Sequence, residues 1–206
     1  MRPLTHGELC DLCISHAAQR GAVFISSETG DREKPDVFAL FKDGETVVYE
    51  CKASRADFRA DMNKPFRRNM ETGIGSQRIY VVNKGVCKPS EVPSGWRLAV
   101  AEDLNVLRMV IPCDPVYLRD RTRLYTFVCD DRKALALIAS SLASGKPPLP
   151  HDTFEVQIGV TEPSKDVSDR LKEEGRCFVC MNRCRKDPSE SYRCMDFFPD
   201  YGKILE

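Results

Sequence analysis

A chain of 206 residues with 42% hydrophobic side chains can bury a well-filled core, as one main domain with an appendage or as two small domains. Its 31 basic side chains balance 31 acidic ones. That balance excludes a whole-molecule field towards nucleic acid or membranes, so any nucleic-acid site must be a local patch. The stretch from Met1 to Glu8 has no apolar run of the signal-peptide kind, and the most apolar helical stretch, 134–143, holds two serines and is too short for a bilayer. A cytosolic, reducing location is therefore expected, where ten cysteines call for burial, metal or reactivity rather than disulfides.

Thr5 with Glu8 three residues on forms a capping box, and Leu9, Leu12, Cys13 and Ala17 supply the apolar stripe of a first helix that Gly21 ends. Residues 22–26 read as a strand. Two more, 36–41 and 46–52, flank the turn signal Asp43-Gly44. Ser54 and Asp57 open a second helix reaching about Asn63, and Pro65, Gly73 and Gly75 mark a loop. Strands follow at 78–83, 96–101 and 104–111, then a helix over 130–144 and the proline-rich linker 146–150. The chain thus divides into a domain over 1–145 and a cysteine-rich module over 151–206, which begins with a strand-like run at 154–160 and a charged helix around 166–174. The order helix, strand, hairpin, helix, strand implies an α/β domain with a mixed central sheet flanked by helices.

The hairpin carries the chemistry. Val37 to Phe41 and Val47 to Tyr49 are apolar without alternation, the mark of strands covered on both faces, yet Asp36, Glu50 and Lys52 stand at the ends of those runs. Buried charge is costly unless paired or metal-bound. Glu50 and Lys52 are two apart and share a face, with Cys51 pointing the other way. A three-residue loop Lys42-Asp43-Gly44 sets Asp36 directly across from Glu50 on that face, whereas a two-residue Asp43-Gly44 loop sends Asp36 to the other. The sequence permits both. Two facing carboxylates suit Mg²⁺ or Mn²⁺, and a lysine beside them suits phosphodiester hydrolysis. A structural Glu50–Lys52 ion pair at a strand end is the alternative.

Pro35-Asp36, followed after thirteen residues by Glu50-Cys51-Lys52, resembles the signature of the PD-(D/E)XK nuclease superfamily. The stretches Ser54-Arg55-Ala56-Asp57-Phe58 and Lys64-Pro65-Phe66-Arg67 through Trp96 resemble small phage and bacterial DNA-repair-type members. The resemblance implies a restriction-endonuclease-like core, Asp36 and Glu50 as metal ligands, Lys52 assisting the attacking water, and DNA as substrate. The family often adds an acidic residue from the first helix. Glu8 is the candidate, with the capping box as its other reading and Glu28 as a weaker choice. A non-catalytic member binding nucleic acid or a protein partner is the rival reading.

Between Lys64 and Lys88 six basic residues face only Glu71, so Lys64, Arg67, Arg68 and Arg78, extended by Arg55 and Arg59, form a candidate backbone-binding patch or else a solvated surface. Cys177, Cys180, Cys184 and Cys194 offer four thiolates for tetrahedral zinc. An iron–sulfur cluster completed by Cys10 or Cys13 is the alternative suggested by resemblance. The remaining cysteines read as small core residues. His6, His16 and His151 share no ligand-like spacing and are assigned no role.

Overall fold

A computed structural model describes residues 2–30, 33–64, 67, 72–93, 96–110, 129–145 and 153–161. The fold is α/β: among the described residues, a mixed seven-stranded sheet with three α-helices. In chain order the elements are α1 (His6–Gln19), β1 (Phe24–Ser27), β2 (Val37–Leu40), β3 (Thr46–Lys52), α2 (Arg55–Asp61), β4 (Gln77–Asn83), β5 (Arg97–Asp103), β6 (Val106–Val110), α3 (Asp131–Ala143) and β7 (Gln157–Thr161). Strands lie in the sheet in chain order. The β1–β2–β3 meander is antiparallel, β3, β4 and β5 run parallel, and β6 returns antiparallel to β5. β7, placed by the sequence reading at the start of the C-terminal module, pairs in parallel with β6 as the seventh strand of the same sheet.

Local chemistry accounts for the ends of the elements. The Thr5–Glu8 capping box opens α1, the Ser54 side chain caps α2, and Asp130 caps α3. At the hairpin the Phe41 amide donates to the Glu45 carbonyl at 2.9 Å and the Gly44 amide to the Phe41 carbonyl at 3.1 Å, closing a loop of Lys42, Asp43 and Gly44. Gly44 takes φ +86°, a conformation that costs glycine nothing.

The run of seven buried residues in β3 is explained by cover on both faces. Leu9, Leu12, Cys13 and Ala17 of α1 pack with Val37, Ala39, Val47, Tyr49, Cys51, Ile79 and Val81 on one side. On the other side Phe58 of α2 meets Tyr80, Trp96 and Leu98, while Ala134 and Leu137 of α3 meet Phe24, Phe38 and Val48. The alternation along β3 therefore sends Glu50 and Lys52 to the α2 side, into the gap beyond Val48.

Candidate functional site

The hairpin pairs Val37 with Tyr49 and Phe38 with Val48, the register in which Asp36, one residue before β2, falls opposite Glu50. The side chains converge accordingly. Lys52 Nζ lies 3.0 Å from Asp36 Oδ2 and 3.0 Å from Glu50 Oε2. Asp36 Oδ2 also accepts from the Cys51 amide at 2.7 Å, which fixes its carboxylate against the C-terminal end of the neighbouring strand.

The chain just after α2 adds to this trio. Arg67 reaches Glu50 Oε1 at 2.8 Å and Asp61 Oδ2 at 2.6 Å, and Lys64 lies 2.6 Å from Asp61 and 3.8 Å from Glu50. Lys52 is 3.6 Å from Asp61. Three carboxylates thus face three cations, and the side chains of Glu50, Asp61 and Arg67 are each at most 2% exposed. Solvent meets the cluster at Asp36, 16% exposed, and at Lys64, 41% exposed.

Charge within the cluster is set by competition between burial and neighbours. Burial by itself would lower the Lys52 pKa, but Glu50, Asp36 and Asp61 together raise it above the ordinary lysine value. Burial by itself would raise the Asp61 pKa, and the Arg67 hydrogen bonds and charge, with Lys52 and Lys64, hold it far below the usual carboxylate range. Arg67 is further fixed by stacking 4.5 Å over the Trp96 ring.

Other residues singled out by the sequence lie elsewhere or in other roles. Glu8 is engaged by Arg2 and by Thr5 of the cap, and chiefly the Arg2 hydrogen bond holds its pKa at about 2. The α1 side chain that turns towards the cluster is His6, with Nε2 3.7 Å from Asp36 Oδ1 and 3.9 Å from Glu28 Oε1. Glu28 itself stands at φ +48°, unusual for a residue with a Cβ.

The basic patch is only partly a surface. Arg78 is fully buried, donating to the Ile74 and Gly75 carbonyls, and Arg67 is buried in the acidic cluster. Neither offers its guanidinium to solvent, because each lies on the face of the sheet that α2, α3 and their loops cover. Arg55 is half-buried and forks onto Glu91 and the Val86 carbonyl, while Arg59 is exposed. Arg68 and the four cysteines Cys177, Cys180, Cys184 and Cys194 lie outside the described residues. Cys10 and Cys13 of α1 are buried together with Cys51 of β3, with the Cys13 and Cys51 sulfurs 3.5 Å apart.

Two members of the cluster were missed in the sequence, and both carried a signal. Asp61 follows Phe58 by one helical turn and so occupies a core-facing position of α2. His6, itself half-buried, stands one turn before Cys10 and two before Cys13, in line with the buried stripe, whereas Glu8 is about 200° away around the helix.

Among the described residues, no three His, Cys, Asp or Glu side chains converge as a ready-made metal cage. Asp36 and Glu50 suit a hard cation of another kind. Mg²⁺ takes one or two carboxylates and keeps its remaining positions for water and phosphate. The Lys52 ammonium, 3.0 Å from each carboxylate, marks a point where the field of the chain favours positive charge.

Among the described residues no helix is long and apolar enough to cross a membrane. No family model matches the chain, and no curated protein matches it. Among solved structures the chain is similar to a protein of unknown function from Silicibacter pomeroyi, at 22% identity and a TM-score of 0.48, covering 70% of this chain and 87% of that one.

Proposed function

We propose that this protein hydrolyses phosphodiester bonds of nucleic acid, with Asp36 and Glu50 as ligands of Mg²⁺ or Mn²⁺ and Lys52 beside the reacting phosphate. The observation that carries this reading is the convergence of Lys52 Nζ on both carboxylates at 3.0 Å, in the hairpin register that the chemistry requires. A bound divalent cation supplies Lewis-acid polarisation of the phosphate and a water of lowered pKa. Asp36 and Glu50 hold that charge. Lys52 enters as an ammonium and offsets charge that builds on the phosphoryl oxygens. Lys64, the most exposed cation of the cluster, and Arg59 on α2 meet the backbone that flanks the scissile bond. The resemblance in the sequence favours DNA as the substrate.

Cys177, Cys180, Cys184 and Cys194 are proposed to hold zinc in a C-terminal module, with an iron–sulfur cluster as the alternative.

One observation favours a second reading, a nuclease-like fold that binds nucleic acid or a protein without cutting. Glu50 is 1% exposed, with one oxygen held by Arg67 and the other by Lys52, so a cation must displace a paired ammonium to reach it. Incubation of the full chain with single-stranded and duplex DNA and RNA in Mg²⁺ or Mn²⁺ separates the two. Cleavage abolished by chelation and by Glu50→Gln supports the nuclease. Salt-dependent binding without cleavage of any substrate supports the binder.

A further inference from the structure

Asp61 is a carboxylate where a helix of this pattern calls for an apolar side chain. It lies one turn after Phe58 on the sheet-facing side of α2, and its side chain is 2% exposed. Five donor atoms surround it. Tyr80 Oη donates to Oδ2 at 2.6 Å, Arg67 Nε to Oδ2 at 2.6 Å and Arg67 Nη2 to Oδ1 at 3.1 Å. Lys64 Nζ is 2.6 Å from Oδ1, and Lys52 Nζ approaches Oδ1 to 3.6 Å.

Stability alone does not call for this arrangement. Replacing a buried ionic cluster by well-packed apolar side chains is often neutral or favourable, so its presence asks for another reason. The distances around Lys52 supply one. Its ammonium sits 3.0 Å from Asp36, 3.0 Å from Glu50 and 3.6 Å from Asp61, so the third carboxylate stands ready just outside hydrogen-bond range. A divalent cation shared by Asp36 and Glu50 repels the ammonium that now lies between them. Without a third partner that ammonium is left buried and unpaired, at a cost that opposes metal binding.

Resting on the nuclease reading above, we propose that Asp61 is a positioning residue, the alternate seat that takes the Lys52 ammonium when a divalent cation occupies Asp36 and Glu50. Arg67 and Tyr80 hold the Asp61 carboxylate in place for that exchange. The exchange is a shift of partner by Lys52, with no bond made or broken.

The test is a double-mutant cycle read by Mn²⁺ binding to the full chain, using paramagnetic resonance of the free ion, with activity as a separate readout. Asp61→Asn is expected to weaken Mn²⁺ binding about tenfold when Lys52 is present and less than about threefold in a Lys52→Met background, where there is no ammonium to reseat. Equal losses in the two backgrounds overturn the proposal, since a merely structural Asp61 weakens both alike. If Asp61→Asn fails to fold, crystals of the unmutated chain soaked in Mn²⁺ decide the matter. Lys52 Nζ within hydrogen-bond distance of Asp61 Oδ1 supports the exchange, and Nζ still between Asp36 and Glu50 overturns it. An unmutated chain that neither binds Mn²⁺ nor cuts nucleic acid removes the nuclease reading along with this one. A chain that does both while the two losses stay equal removes only the role of Asp61.

Discussion

His6 Nε2 lies 3.7 Å from Asp36 Oδ1, on the opposite side of that carboxylate from Lys52, which holds Oδ2. The gap is slightly longer than a direct hydrogen bond. His6→Ala is expected to reduce metal-dependent cleavage about tenfold by freeing the orientation of Asp36, in the range found for residues that orient metal ligands. The fold should be little affected, because the His6 side chain is 39% exposed. A cleavage rate equal to that of the unmutated chain would remove His6 from the site.

Glu50→Gln should abolish cleavage and also destabilise the protein. The hairpin by itself suggests two carboxylates repelling each other, a repulsion that Gln relieves. In the folded protein Lys52 and Arg67 already neutralise Glu50, so the substitution leaves buried cations short of a partner. A loss of about 3 kcal/mol is expected, measurable by denaturant titration. Unchanged stability would mean that Glu50 is not held in this ion cluster in solution.

Lys52→Met removes the ammonium from between Asp36 and Glu50 and leaves two facing carboxylates. Mn²⁺ at a hundredfold excess over its Kd for this variant should stabilise it by about 3 kcal/mol, and the same concentration should raise the Tm of the unmutated chain less. Turnover should fall even with metal bound. Calorimetry showing the same Tm with and without Mn²⁺ would be evidence against a cation at these carboxylates.

Backbone contact is expected at Arg59 and Lys64 rather than at the buried Arg67 and Arg78. Replacing both exposed residues by Ala should weaken binding to all sequences alike and reduce the slope of log K against log salt by about two. An unaltered slope places the nucleic acid on another surface.

Stability should fall on mild acidification through His16, which is buried with Nδ1 3.1 Å from the Tyr49 hydroxyl. Burial first, and the Arg20 charge second, lower its pKa to about 4. The unfolded chain takes a proton at the ordinary histidine value, near 6.5, and the folded chain resists it. The contribution is therefore complete above about pH 6.5 and is lost as pH falls towards 4. Between pH 7.5 and 5 the loss amounts to roughly 2 kcal/mol. His16→Gln should flatten the dependence of Tm on pH across that window, and an equally steep dependence in the variant would assign the effect to other groups.

The hairpin was legible because its determinants are local. Asp43-Gly44 names the turn, and the unbroken apolar runs on either side name strands covered twice, as β3 is. Glu50 and Lys52 share a face by the pleat alone. The choice between two loop lengths was not local. It fell to the register that seats Phe38 and Val48 under α3 while Val37 and Tyr49 meet α1, because a slip of one residue turns both apolar sets the wrong way. Asp61 and Arg67 lie beyond the strand that holds Glu50 and joined it only because β4 runs parallel to β3, which requires a crossover that carries α2 and the residues after it over that face. β7 reads as a strand from its own residues, and its pairing with β6 is not legible there, since a strand's residues state its period but not which edge it completes. Sequence determined which residues carry charge into the core. Tertiary structure decided which of those charges meet, because side-chain periodicity fixes a direction and only the packed chain supplies a neighbour.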